Sequence, residues 1–131
     1  MTPAQDDIET AIGACVRRFY DKGAQDALLG PIFAHIPELD KHMGIVADFW
    51  SKALLGTQRY DGHPFAAHLS LPVEPEHFSR WLELFTETVH ETLPEPQAGE
   101  AIAKASHMTQ CFQSGLFPFT GKDGRPSRLP E

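Results

Sequence analysis

The sequence contains no asparagine, so it offers no N-glycosylation acceptor. It has only two cysteines, Cys15 and Cys111, far apart in the chain. That excludes the Cys-x-x-Cys pairs of common structural zinc sites, and a lone distant pair is expected to stay reduced. Basic residues are scarce: 11 Lys and Arg stand against 18 Asp and Glu, a net charge of −7. A phosphate backbone or an anionic membrane surface needs a basic patch, so neither nucleic acid nor membrane is an expected partner. No apolar run approaches the roughly 18 residues of a membrane span. The opening MTPAQDDIET is polar and acidic rather than leader-like, and a cytoplasmic location is expected. GxGxxG, the phosphate-binding P-loop and GxSxG are all missing. The HET at His90 begins like the zinc-protease HExxH, but Pro94 holds the second histidine position. A cysteine–histidine hydrolase has no support either, because neither cysteine sits in a matching local pattern. Sustained strand alternation is absent as well, which leaves an all-α class.

What is present fits one domain. A length of 131 residues with 41% hydrophobic and 22% charged content can bury a core without staples. The chain opens with a capped helix: Thr2 reads as N-cap, Pro3 as the first helical residue, and Gln5 as the capping-box partner. Ile8, Ile12, Cys15, Val16, Phe19 and Tyr20 follow at helical spacing, with Gly13 expected to bend the helix and Gly23 to stop it. Gly30-Pro31 marks an apolar corner. A second long helix is predicted over 39–55, with His42, Val46, Phe49, Trp50 and Ala53 on one face and Gly56 as terminator. Pro75 opens a third, striped by Phe78, Trp81, Leu82, Phe85 and Val89 and ended by Pro94. Pro96 opens the last, with Ile102, Ala105, Met108, Thr109, Phe112 and Leu116 inward. The domain is expected to span 1–117. Residues 118–131 are rich in turn formers and charge, and are expected to form a disordered, dispensable tail.

Histidine is the anomaly: seven, against two tyrosines and two tryptophans. In GHPFAAHLSLP (62–72), His68 stands on a short apolar turn inside a long connection, a kind of segment that is often functional. A neutral imidazole in apolar surroundings is a good ligand for porphyrin iron, and Phe33, Val46, Phe49, Trp50 and Phe78 could wall such a body. Each residue alone has a plainer explanation. A lone histidine is more often partly exposed than a ligand, and an aromatic stripe is ordinary core. Residue patterns therefore reach an all-α domain with a possible histidine-ligated cofactor, and a histidine metal site stays open beside it.

Five stretches carry a resemblance to a known family: FYDK (19–22), LLGPIF (28–33), HMGIVADFWSKALLGTQRYDGHPFAAHLSLP (42–72), EHFSRWLELFTETV (76–89) and FQSGLF (112–117). Together they resemble the group III truncated haemoglobins. The resemblance implies a two-over-two helical sandwich around haem b (iron protoporphyrin IX). It implies His68 as the proximal iron ligand, Tyr20, His42 and Trp81 as the distal ligand-binding residues, and Phe33 packed against the porphyrin. It implies binding of O2 and other diatomics, with oxygen transport as the associated role. An alternative is a haem enzyme acting on nitric oxide or peroxide with an external reductase; a haem-based sensor working through a partner is another. A monomer or weak dimer is expected. Two departures stand out. The family's tryptophan near Leu39 is missing, and KGAQDA (22–27) replaces a more basic run, so Gly23 is expected to loosen the chain after Tyr20.

Overall fold

The computed structural model describes residues 3–68 and 71–129. The Thr2 cap and the apolar neighbour Leu69 lie outside the described residues. Six helices follow in order: α1 (Pro3–Gln25), α2 (Gly30–Phe33), α3 (Leu39–Leu55), α4 (Pro64–His68), α5 (Pro75–Thr92) and α6 (Gln97–Leu116). The four long ones close a ring of contacts, α1 on α3, α3 on α6, α6 on α5 and α5 on α1. This is two helix pairs stacked on each other. No helix among the described residues is long and apolar enough to cross a membrane.

The helix ends follow local chemistry. Gly56 takes the left-handed conformation, φ 74°, and returns its N–H to the Lys52 carbonyl at 3.0 Å, which closes α3 where a side chain would be strained. Prolines begin α1, α4 and α5, where the missing N–H costs nothing. The first helix departs from expectation: α1 runs unbroken through Gly13 and Gly23 to Gln25.

Two apolar clusters result. The larger joins Ile12, Val16, Phe19, Trp50, Phe85 and Val89 between the four long helices. The buried face of α6 is small there (Ala98, Ala101, Ala105), which lets its neighbours come close. The smaller cluster is Ile32, Val73, Phe78, Leu116 and Phe117. Between α3 and α4 the chain runs without regular structure from Gly56 to His63. Its start is pinned by a polar knot. The Ser51 hydroxyl, fully buried, donates to Glu9 (2.9 Å) and bonds the Thr57 hydroxyl (2.8 Å), while Arg59 bridges Glu9 and Asp48.

The expected disordered tail is corrected. Residues 119–127 form a hairpin, β1 (Phe119–Thr120) antiparallel to β2 (Pro126–Ser127), turned through Gly124 at φ 80°. It folds back on the start of α5 and the chain before it: Arg128 donates to the carbonyls of Leu71 and Val73, and Arg125 pairs with Glu76 in the first turn of α5. Composition did not reveal this, because the anchors are long-range polar bonds rather than buried apolar surface.

Candidate functional site

A cleft opens between α1, α2, α3, α4, α5 and α6, enclosing about 830 Å³ with its solvent-continuous mouth included. Its walls are mostly apolar, among them Leu29, Ile32, Phe33, Phe78 and Phe112, with a few polar groups converging on the space.

His68 is the last residue of α4 and lies on this cleft, half-buried. Its Nδ1 is 2.6 Å from the Pro64 carbonyl oxygen, one helical turn back. A carbonyl only accepts, so Nδ1 carries the proton and Nε2 keeps its lone pair. Burial pulls its pKa below the usual imidazole value, partly offset by that carbonyl. The ring lies 4.9 Å, centroid to centroid, from Phe112. Phe65 of α4 also reaches α6: its ring sits where a side chain at Gly115 would be.

Tyr20 and His42 reach the same cleft from α1 and α3. The Tyr20 hydroxyl and His42 Nε2 are 2.8 Å apart. Burial drives the phenol pKa well up, so the hydroxyl keeps its proton. Burial also lowers the His42 pKa, and nearby His68 adds a like-charge penalty. Both imidazoles are therefore held toward the neutral form. Trp81 lines the cleft from α5, stacked on Phe85 (4.9 Å, 11°) and edge-on to Phe19 (5.4 Å). Phe33 packs against Tyr20 at 5.1 Å and Phe19 at 5.8 Å.

The structure thus brings together His68, Tyr20, His42, Trp81, Phe33 and Phe78. Val46, Phe49 and Trp50 are not among the residues that line the cleft. Trp50 is buried against Phe85 (4.9 Å, 22°), Phe49 packs on Trp50 and Tyr60, and Val46 packs on the main core. For Phe49 and Trp50 the cause is length. Helix rise is about 1.5 Å per residue, so Trp50 lies roughly 12 Å along the axis from His42 on the same face.

Sequence reading missed His77 as a wall residue. The Glu74 backbone N–H donates to its Nδ1 at 2.8 Å, so in the neutral ring the proton sits on Nε2. His77 is a donor through Nε2 where His68 is an acceptor. The signal was local: the third residue of a helix opened by Pro75 is placed to reach back to the cap.

Among the described residues, no three His, Cys, Asp or Glu side chains gather as a metal site. One correctly protonated imidazole is too little for a bare ion. It suffices for a metal that brings its own equatorial ligands, and the flat apolar walls suit an aromatic macrocycle. The residues present fit haem.

A family profile for bacterial-like globins matches residues 7–114. The group 3 truncated hemoglobin ctb of Campylobacter jejuni is 32% identical over 119 residues, spanning 86% of this chain and 94% of its own. The crystal structure of group III truncated hemoglobin from Campylobacter jejuni superposes with a TM-score of 0.76 at 30% identity, covering 83% of this chain and 91% of that one.

Proposed function

The chain belongs to the bacterial-like globin family, as a homologue of the group 3 truncated hemoglobins, and from that premise we propose that it binds O2 and other diatomic ligands at a haem held by His68. The observation that carries this reading is the His68 tautomer, fixed by the Pro64 carbonyl at 2.6 Å.

Haem b, when bound in the cleft, would supply an iron able to take a diatomic ligand. The chain's own residues do the rest. His68 offers the Nε2 lone pair, and its Nδ1–H bond sets the ring's orientation and raises its basicity. Phe33, Phe78 and Phe112 line the cleft and would keep water from the porphyrin. His77 is suited to donate through Nε2 to a porphyrin carboxylate. Tyr20 and His42 share one bond whose direction sets the distal chemistry. When His42 donates through Nε2–H, the Tyr20 proton is left for a ligand; when His42 accepts, that proton is spent. Trp81 is the further distal donor. A well-placed donor contributes about 1.5 kcal/mol, roughly tenfold in dissociation constant.

A second reading, turnover of peroxide or nitric oxide with an external reductase, is favoured by one feature. Half-buried His42 joins the buried Tyr20 hydroxyl to the surface, a proton route that reversible binding does not need.

The test is optical. Reconstituted with haemin and reduced, the protein is expected to show a histidine-ligated spectrum that changes on adding O2. His68→Gly is expected to lose it and to regain it with millimolar imidazole. A His68→Gly spectrum identical to the parent's overturns the assignment. Turnover of nitric oxide or peroxide by the reduced protein distinguishes the second reading.

A further inference from the structure

The C-terminal hairpin lies beyond the stretch that matches the globin family, residues 7–114, and nothing in the proposed ligand chemistry uses it. Its anchors nevertheless fall on the cleft. One Arg128 nitrogen, Nη2, donates to both the Leu71 carbonyl (2.9 Å) and the Val73 carbonyl (3.2 Å). Leu71 and Val73 are both cleft-wall residues. The Leu71 N–H in turn donates to the His68 carbonyl at 3.2 Å. A short chain of bonds therefore runs from Arg128 to the backbone of the residue that would hold iron.

The guanidinium is itself held. It lies over the Phe117 ring at 5.5 Å, and Phe117 belongs to the smaller apolar cluster with Val73 and Phe78. Further along the hairpin, Arg125 pairs with Glu76 at 2.8 Å. That second pair is exposed on both sides and is worth little by itself. Arg128 differs because it is half-buried and ties together two backbone carbonyls outside helix and sheet, that of Val73 and that of Leu71, which also accepts from the Val73 N–H at 2.9 Å. α4 has five residues, too few to be stable alone, so His68 depends on what holds the chain on either side. The Ser51–Arg59 knot holds the approach to α4, and Arg128 holds the exit.

We propose that Arg128 is a positioning residue for the proximal side of the cleft: the hairpin braces residues 71–73 from outside and thereby fixes His68 against the iron. This rests on the haem reading above, and its test is arranged so that the two fail differently.

The experiment compares full-length protein with Arg128→Ala and Arg128→Lys. Three readouts are taken: haem loss to an excess of a haem-scavenging apoglobin, the iron–histidine stretching band of the reduced protein, and the C–O stretching band of its carbon monoxide complex. Arg128→Ala is expected to lose haem about tenfold faster, the size of one charge-assisted hydrogen bond, and to shift or broaden the iron–histidine band. Arg128→Lys, which keeps a donor, is expected to fall between it and the parent. The C–O band reports the distal donors and is expected to stay in place. Haem loss within twofold of the parent with an unchanged iron–histidine band overturns the proposal. So does an equal disturbance of both bands, which marks general loosening. Should the parent show no histidine-ligated spectrum, the haem reading itself has failed. Amide exchange at residues 71 and 73 then still tests the brace, since Arg128→Ala must raise it.

Discussion

A methyl group at position 23 would overlap the Phe33 ring, whereas one at position 13 of the same helix would meet nothing within 4 Å. The two glycines therefore predict opposite outcomes for the same substitution. Gly13→Ala replaces a poor helix former at an exposed, open position and is expected to stabilise by about 0.5–1 kcal/mol. Gly23→Ala must push Phe33 off α1 and is expected to cost about 1–3 kcal/mol, as overpacking does. Phe33 is a cleft wall, so Gly23→Ala is also expected to weaken haem retention while Gly13→Ala leaves it unchanged. Thermal melts and haem-loss rates of the two variants check this; matching shifts in both would refute it. The sequence pattern treated both glycines as helix breakers. The actual role of Gly23 is set by a ring ten residues away, and no local pattern carries that. That His68, Tyr20 and Phe33 share one cleft was legible for a different reason: family motifs surround them, and those motifs record tertiary constraints.

At the scale of elements, the corner between α1 and α2 depends on one carboxylate. Asp26 accepts from the Leu28 and Leu29 N–H groups at 3.1 and 3.0 Å and from Arg80 Nε of α5 at 2.8 Å. The Leu29 N–H first, then Arg80 and the Leu28 N–H, hold its pKa below the usual carboxylate value. A depressed folded-state pKa means that the unfolded chain binds the proton more readily. The stabilisation is complete above the unfolded value near 4 and is lost as pH falls through the folded one. Asp26→Asn is expected to cost about 1 kcal/mol at pH 7, with the gap to the parent closing in acid as the carboxylate is protonated. Urea denaturation at neutral and at acid pH measures it, and a gap independent of pH would remove the carboxylate from the explanation. Other elements were readable without such detail. α3 ends at Gly56 and α5 starts at Pro75, as their terminators require. His42 and Trp50 were expected on one face of α3, but periodicity fixes a face and not what lies opposite each turn of it: His42 lines the cleft and Trp50 packs on Phe85. The hairpin at 119–127 was unreadable, because two short polar strands held by arginine–carbonyl bonds leave no periodic trace.

Across the whole molecule, the apolar interior is divided unequally, and the division bears on what haem removal does. The larger cluster binds the four long helices through Val16, Trp50, Phe85, Val89 and Ala101, and few of its members touch the cleft. The smaller cluster sits beside the cleft and shares Ile32, Val73 and Phe78 with its wall. A macrocycle in the cleft would complete that second cluster by covering apolar surface otherwise left to water. Ligand bound only by the folded state adds stability as the logarithm of its concentration over Kd, about 4 kcal/mol at a thousandfold excess. The loss on removal should be local rather than uniform. The apo-protein is expected to keep helical circular dichroism and slow amide exchange in α1, α3, α5 and α6. Exchange is expected to quicken in α2, α4, residues 71–73 and the hairpin, whose packing partners line the empty space. Hydrogen exchange resolved by fragment, with and without haem, measures the pattern. Uniform loss of protection across all four long helices would mean that the two clusters fold as one unit, with haem holding the larger as well as the smaller.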